Sequence, residues 1–119
     1  MAELLPELRA IVREAGALAL QRSQSGFRRW DKSPGNPVSE VDLEVDALLR
    51  TRLGALLPDA GWLSEETADN DARLACERIW VVDPIDGTRD FVRGRSGWAV
   101  SVALVERGQV VLGLSLIHI

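Results

Sequence analysis

The feature that most restricts how this chain can fold is a predicted buried strand that ends in two acids around a proline. The apolar, β-branched run from Ile79 to Val82 predicts the strand, and Asp83 and Asp86 flank Pro84 directly after it. Proline fixes φ and has no N–H for a strand ladder, and Gly87 permits backbone angles that other residues avoid. The sequence therefore predicts that the chain turns at Pro84 and points both carboxylates the same way.

The chemistry that this acid pair favours is the binding of a divalent cation. Two carboxylates this close resist joint ionisation unless a cation lies between them, and carboxylate and carbonyl oxygens suit Mg²⁺. Residues after Gly87 are expected to begin a short helix whose free amides would receive a phosphate, with Thr88 beside it. The simpler alternative for two acids alone is a strand-to-helix turn in which Asp83 caps the helix and Asp86 faces water.

A second pair of acids, Glu65 and Glu66, follows a shorter strand pattern over residues 61–64, so two predicted strands end in carboxylates. The hydrophobic periodicity and turn residues predict the other segments in this order: a helix over 4–20, a loop or short hairpin over 23–37, a helix that begins with a capping-box-like sequence at Ser39 and ends at Pro58, and, after the buried strand, a strand hairpin over 98–105 and 110–114.

Composition excludes several classes of function. The chain has 119 residues, 46% hydrophobic and 27% charged, with a net charge of −4. These values are typical of a globular domain or of a piece of a larger one, and the interleaved charges predict neither a nucleic-acid polymer nor a membrane as partner. The single Cys76 excludes an internal disulfide, and no segment resembles a signal peptide, so a cytoplasmic location is expected. The tryptophans are expected to pack in the core: Trp30, Trp62, Trp80 and Trp98.

The string Asp83-Pro84-Ile85-Asp86-Gly87-Thr88 resembles the signature of the inositol monophosphatase superfamily, the lithium-sensitive, magnesium-dependent phosphatases. Ser64-Glu65-Glu66 resembles the Gly-Glu-Glu element of that superfamily, with Ser64 in place of the glycine. The segment from Pro37 to Asp42 resembles its Pro-Val-Thr-x-x-Asp segment, and Lys32 falls at its lysine position. The resemblance runs from the first helix to Gly113, which is only the N-terminal half of a typical member.

The resemblance implies an α+β fold, the N-terminal half of a sugar-phosphatase fold, with helices packed on a mostly antiparallel sheet. The implied ligands for Mg²⁺ are Glu65, Asp83, Asp86 and the carbonyl of Ile85. The implied catalytic residues, which orient and help deprotonate the attacking water, are Asp42, Thr88 and Glu65. Phosphate would be held by the amides of Gly87 and Thr88, and Lys32 and Glu66 would lie beside the site. Two alternatives stay open from the residues themselves: Asp42 as a helix-capping acid only, and Lys32 as a solvated loop charge.

The expected function is that of a magnesium-dependent phosphomonoester hydrolase. Arg89-Asp90-Phe91 resembles the 3′(2′),5′-bisphosphate nucleotidase branch more than the Thr-Asn-Phe common among inositol monophosphatases. The substrate is therefore expected to be a small-molecule bisphosphate nucleotide, and inositol 1-phosphate is the alternative. A homodimer is expected for the full-length parent. A non-enzymatic alternative is an inactive, truncated fragment.

The last six residues, Leu114 to Ile119, depart from the resemblance. The superfamily continues there with a valine-rich strand, whereas Leu-Ser-Leu-Ile-His-Ile resembles the translation of a common sequencing adaptor. We therefore expect a truncated domain over residues 1–113 and a non-native tail over 114–119, in which His118 has no role. The alternative is a natural short protein that ends in an apolar strand.

Overall fold

The computed structural model describes residues 2–67 and 71–117. A short 3-10 turn at Ala2–Leu4 precedes the first helix, and another at Asp71–Ala75 lies between β3 and β4. The three helices are α1 (Leu5–Ser23), α2 (Glu40–Leu56) and α3 (Thr88–Val92). The six strands are β1 (Arg29–Ser33), β2 (Asn36–Ser39), β3 (Gly61–Ser64), β4 (Arg78–Asp86), β5 (Ala99–Glu106) and β6 (Gln109–Ile117).

Four of the strands form the main sheet, in the order β3-β4-β5-β6. β3 pairs with β4 in parallel, and the other two pairs are antiparallel, so the predicted mostly antiparallel sheet is confirmed. β1 and β2 form a separate antiparallel hairpin where the sequence allowed either a loop or a hairpin. The predicted α+β architecture is therefore present.

The core lies between α1, α2 and one face of the main sheet. Apolar residues at helical spacing on both helices are buried against Trp80 and the inward side chains of β5. The helical members of this core are Leu8, Ile11, Val12, Ala15, Ala19, Val41, Val45, Leu49 and Leu53. No helix of residues 2–67 and 71–117 is long and apolar enough to cross a membrane.

The chain does not turn at Pro84 as predicted. β4 continues to Asp86, and its pairing with β5 shifts between Asp83, opposite Ser101, and Asp86, opposite Ala99. Three steps along β4 match two along β5, so β4 holds one extra residue, as in a β-bulge. Proline is tolerated at a bulge because the ladder is already interrupted there.

One of the tryptophan predictions is wrong. Trp80 and Trp98 are buried and Trp62 is half-buried, but Trp30 is 43% exposed. Trp30 lies on β1, all of whose residues are exposed, whereas the buried residues of the hairpin, Val38 and Ser39, lie on β2.

Residues 114–117 form the last part of β6 and pair with the first part of β5. Leu116 also packs on α1 so closely that a Cβ on Gly16 would lie 2.3 Å from its Cδ2 atom. The domain boundary expected at residue 113 stays a prediction, and His118 and Ile119 lie outside the described residues.

Candidate active site

Most of the predicted site residues meet where β3 and β4 end, beside the β1–β2 hairpin. A cavity of about 240 Å³ opens there. It is lined by Lys32, Asn36, Pro37, Glu65, Glu66, Asp83, Ile85, Gly87, Thr88 and Arg89. Asp42 and Asp86 are not among the residues that line the cavity there. Parallel pairing of β3 with β4, which places Ser64 beside Val82, brings both predicted pairs of acids to the same end of the sheet.

Asp83 is the electrostatic centre of the site. Burial, together with four neighbouring carboxylates that act in the same direction, raises the pKa of its carboxyl group to about 7. Those carboxylates belong to Asp86, Glu65, Glu66 and Asp42. The fold therefore concentrates negative charge around Asp83, although Asp86 and Glu65 are themselves exposed.

Asp42 is both a helix-capping residue and a partner of Thr88. Its Oδ2 atom accepts hydrogen bonds from the backbone N–H of Ser39 at 2.9 Å and from the Ser39 hydroxyl at 2.6 Å, in a capping box at the start of α2. Its Oδ1 atom lies 2.8 Å from the hydroxyl of Thr88. The two interpretations of Asp42 are therefore compatible, since each uses a different carboxylate oxygen.

The Thr88 hydroxyl is also 3.0 Å from the carbonyl oxygen of Ile85. A hydroxyl has one proton to donate, so Asp42 and Ile85 compete for it, and the oxygen keeps lone pairs that can accept from a third group. Thr88 thus links the buried cap of α2 to the bulge of β4.

Lys32 contacts Glu66 at the side of the cavity. The Lys32 Nζ atom lies 3.0 and 3.2 Å from the two carboxylate oxygens of Glu66, whose side chain is only 6% exposed. Burial raises the pKa of Glu66, and the charge of Lys32 opposes that shift. The prediction that these two residues lie beside the site agrees with this placement.

Gly87 forms the sharp connection between β4 and α3. Its φ of 90° lies in the left-handed region, and a Cβ there would approach the backbone of Trp98 to 3.4 Å. The predicted short helix begins at the next residue, and Gly87 occupies its N-cap. Asp83 is therefore not the cap, in contrast to the simpler alternative for the acid pair.

The sequence analysis missed one acid, Asp46. It is 7% exposed and lies one turn after Asp42 on α2, where its carboxylate accepts hydrogen bonds from the hydroxyls of Ser64 and Thr67. The available signal was its position in the apolar stripe beside Val45 and Leu49, since an acid is seldom buried there without a polar partner.

The donor set suits a hard divalent cation. Carboxylates and the Ile85 carbonyl provide only oxygen atoms, and a cation would relieve the repulsion that raises the pKa of Asp83. Within the part of the chain that the structure describes, no three acidic, histidine or cysteine side chains lie close enough together to hold a metal ion as they stand. The fit therefore rests on the type of donors and on their shared cavity.

Comparisons with known proteins identify the family of the chain. A sequence model of the inositol monophosphatase family matches residues 1–116. The 3′-phosphoadenosine 5′-phosphate phosphatase of Mycobacterium bovis is 43% identical over 96 residues, which are 79% of this chain and 34% of that protein. The 3′(2′),5′-bisphosphate nucleotidase CysQ of Escherichia coli is 30% identical over 115 residues, 93% of this chain and 46% of that protein.

The fold is also shared with solved structures. The suppressor protein SuhB of Bartonella henselae superposes with a TM-score of 0.89 at 25% identity, over 97% of this chain and 45% of that protein. The chain thus spans less than half the length of these relatives. Since the family model matches nearly the whole sequence, the chain belongs to the inositol monophosphatase family.

Proposed function

We propose that the full-length protein containing this chain hydrolyses phosphomonoesters with Mg²⁺ as cofactor. The observation that carries the proposal is the group of carboxylates around Asp83, which lies in one cavity with the Thr88 hydroxyl that contacts Asp42. The residues that would hold Mg²⁺ are Glu65, Asp83, Asp86 and the carbonyl of Ile85. Bound there, Mg²⁺ would neutralise phosphate charge and increase the acidity of a nearby water.

The chain's own groups would then orient and deprotonate the attacking water. Thr88 donates its proton to Asp42, so a lone pair of its oxygen can accept a hydrogen bond from the water. Asp42 is kept in place for this by Ser39, which binds its other oxygen. The proton of the water would pass towards this pair as its oxygen attacks phosphorus. The bond from phosphorus to the ester oxygen would break, and that oxygen would leave and take up a proton as the alcohol product. Glu65 at the mouth of the cavity is proposed both as a metal ligand and as a catalytic residue.

The phosphate would be received at the beginning of α3. Gly87 and Thr88 lie there, and the open backbone of the glycine allows close approach of an anion. Arg89 adds a positive charge to the same cavity, with its Nη2 atom fixed 2.7 Å from the carbonyl of Gly35. We propose that the phosphate of the substrate binds between this turn and the carboxylates.

The proposed substrate is a 3′(2′),5′-bisphosphate nucleotide such as 3′-phosphoadenosine 5′-phosphate. Arg89-Asp90-Phe91 favours that branch, and the two relatives compared above carry names of nucleotide phosphatases. Inositol 1-phosphate is the alternative substrate. A cytoplasmic location and a homodimer of the full-length protein are also proposed.

The test is to measure phosphate release by the full-length polypeptide from 3′-phosphoadenosine 5′-phosphate and from inositol 1-phosphate. We expect activity that requires Mg²⁺, is inhibited by Li⁺, and has the higher kcat/KM for the nucleotide. The reverse preference would support the inositol phosphate alternative, and full activity in EDTA would contradict the metal site. The 119-residue chain assayed alongside is expected to be inactive, because the resemblance implies another metal-binding aspartate outside it.

A further inference from the structure

Asp46 has hydrogen-bond partners on both sides of the Glu65-Glu66 turn. Ser64, directly before the two acids, donates its hydroxyl to the Oδ1 atom of Asp46. Thr67, directly after them, donates its hydroxyl to the Oδ2 atom. Both carboxylate oxygens of one side chain on α2 are therefore bonded to the ends of the turn that presents Glu65 and Glu66 to the cavity.

Each contact continues to a second group. The Ser64 oxygen accepts a hydrogen bond from the backbone N–H of Glu66 at 3.2 Å. The Thr67 oxygen accepts one from the indole Nε1 of the half-buried Trp62 at 3.2 Å. Through Ser64, Asp46 fixes the backbone inside the turn, and through Thr67 it fixes the turn to the strand before it.

Burial makes these contacts costly to break. Asp46 is 7% exposed, so moving either hydroxyl away would leave a carboxylate oxygen without water or a protein donor. Hydrogen bonds to an ionised acceptor are also stronger than those between neutral groups. Glu65 itself is exposed, and its own side chain has no comparable packing to hold the turn. The Glu65 N–H also bonds to the Val82 carbonyl and Lys32 contacts the Glu66 carboxylate. To these contacts α2 adds a buried carboxylate that is bonded to both ends of the turn.

We propose that Asp46 is a positioning residue that fixes the Glu65-Glu66 turn in the orientation needed for metal binding. It lies outside the cavity and would not contact the metal or the substrate. One of the two hydrogen bonds to Asp46 comes from Ser64, which stands where the superfamily element has glycine. The metal-binding part of the proposal rests on the proposed function, whereas the restraint on the turn does not.

The first experiment measures amide hydrogen exchange in the metal-free 119-residue chain. Asp46→Asn keeps an acceptor for only one of the two hydroxyls, and we expect about tenfold faster exchange at Glu66, as for the loss of one charge-assisted hydrogen bond. Ser64→Ala is expected to have a similar effect at the same amide. Amides of β4 and β5 should stay protected in both variants, which separates a local change from unfolding. Asp59→Asn, which removes an exposed charge, is the matched control.

The second experiment measures Mn²⁺ binding, by calorimetry without substrate, to the full-length polypeptide with the same substitutions. Loss of a residue that orients metal ligands weakens metal affinity by about 10-fold or more, and we expect this for Asp46→Asn and not for Asp59→Asn. Unchanged exchange at Glu66 in Asp46→Asn would overturn the positioning role. Faster exchange with unchanged Mn²⁺ affinity would overturn its link to metal binding. If the parent polypeptide binds no Mn²⁺ and exchange at Glu66 is still faster in Asp46→Asn, the restraint is supported and the proposed metal site is contradicted.

Discussion

At the scale of single residues, Thr88 and Asp83 do different work within one cavity. Thr88 is neutral and joins two elements through its hydroxyl, which reaches both Asp42 and Ile85. Asp83 is half-buried among like charges and raises the free energy of the folded chain when it ionises. Substitutions of Thr88 are therefore tested best by enzyme activity, and substitutions of Asp83 by the stability of the folded chain.

Thr88→Val should lower kcat of the full-length enzyme by about 100-fold or more, since it removes the cavity hydroxyl that lies 2.8 Å from the Oδ1 atom of Asp42. Thr88→Ser, the matched control, keeps the hydroxyl and should retain most of the activity. Steady-state kinetics at saturating Mg²⁺ would make the comparison. A Thr88→Val enzyme as active as Thr88→Ser would contradict a role for the hydroxyl.

Asp83→Asn should stabilise the metal-free chain at pH 8 and remove its stabilisation by Mg²⁺. The asparagine carries no charge, so the repulsion from the carboxylates of Asp86, Glu65 and Glu66 is lost together with a metal ligand. Thermal unfolding with and without Mg²⁺ measures both effects, with Asp59→Asn as the control for removal of an exposed acid. A Tm of Asp83→Asn that still rises with Mg²⁺ as in the parent chain would contradict its role as a ligand.

The pH dependence of stability follows from the same carboxyl group. The pKa of Asp83 is about 7 in the folded chain and near 4 when unfolded, so the folded state binds more protons between these values. Asp83 therefore favours folding at low pH, and its contribution declines as the pH rises from about 4 to about 7. Urea unfolding of the metal-free parent and of Asp83→Asn across this range should show a difference that grows with pH and then levels off. A constant difference would contradict the raised pKa.

At the scale of elements, α2 links the hairpin, the core and the site. Its apolar stripe packs on α1 and β4, its first turn holds Asp42 beside Thr88, and its second turn holds Asp46 beside Ser64. The helix begins at Glu40, directly after Ser39, which is both its N-cap and the last residue of β2. The start of α2 therefore both caps the helix and holds Asp42 beside Thr88.

Ser39→Ala should destabilise the chain by about 1 kcal/mol and also lower the activity of the full-length enzyme. It removes the capping hydroxyl that accepts from the Asp42 N–H and donates to the Oδ2 atom of Asp42, which leaves that oxygen with fewer donors. Urea unfolding and kcat would be measured beside Ser33→Ala, an exposed serine of β1. Loss of stability with unchanged kcat would show that the cap does not orient Asp42 for catalysis.

The sequence predicted the elements whose pattern is local and missed those that depend on contacts across the fold. The period of α2, its capping box and the apolar run of β4 are visible within a few residues, and each was found. The bulge at Pro84 depends on pairing with Ser101 and Ala99, which lie far along the chain. The role of Asp46 depends on its contact with Ser64 of β3, which is distant in the sequence. An acid in an apolar stripe indicates that a polar partner exists, but the sequence does not show which residue it is.

At the scale of the whole molecule, the sheet formed by the described residues ends at β6, whose outer backbone edge lies at the end of the strand order. Three apolar side chains of this strand are exposed: Val110 by 68%, Ile117 by 58% and Leu116 by 37%. A long apolar edge strand offers unpaired backbone groups and apolar surface to another chain. Association through this edge is therefore the expected behaviour of the 119-residue chain.

Ile117→Lys should shift the purified chain from associated species towards the monomer, because a charge on an edge strand must be desolvated when a second strand pairs with it. Leu74→Lys is the matched control: Leu74 is 68% exposed and Ile117 is 58% exposed, but Leu74 lies on the turn at Asp71–Ala75, away from β6. Sedimentation velocity over a range of concentrations would compare the two variants with the parent. If both variants reduce association equally, exposed apolar surface in general drives it; if neither does, the edge of β6 is not the contact.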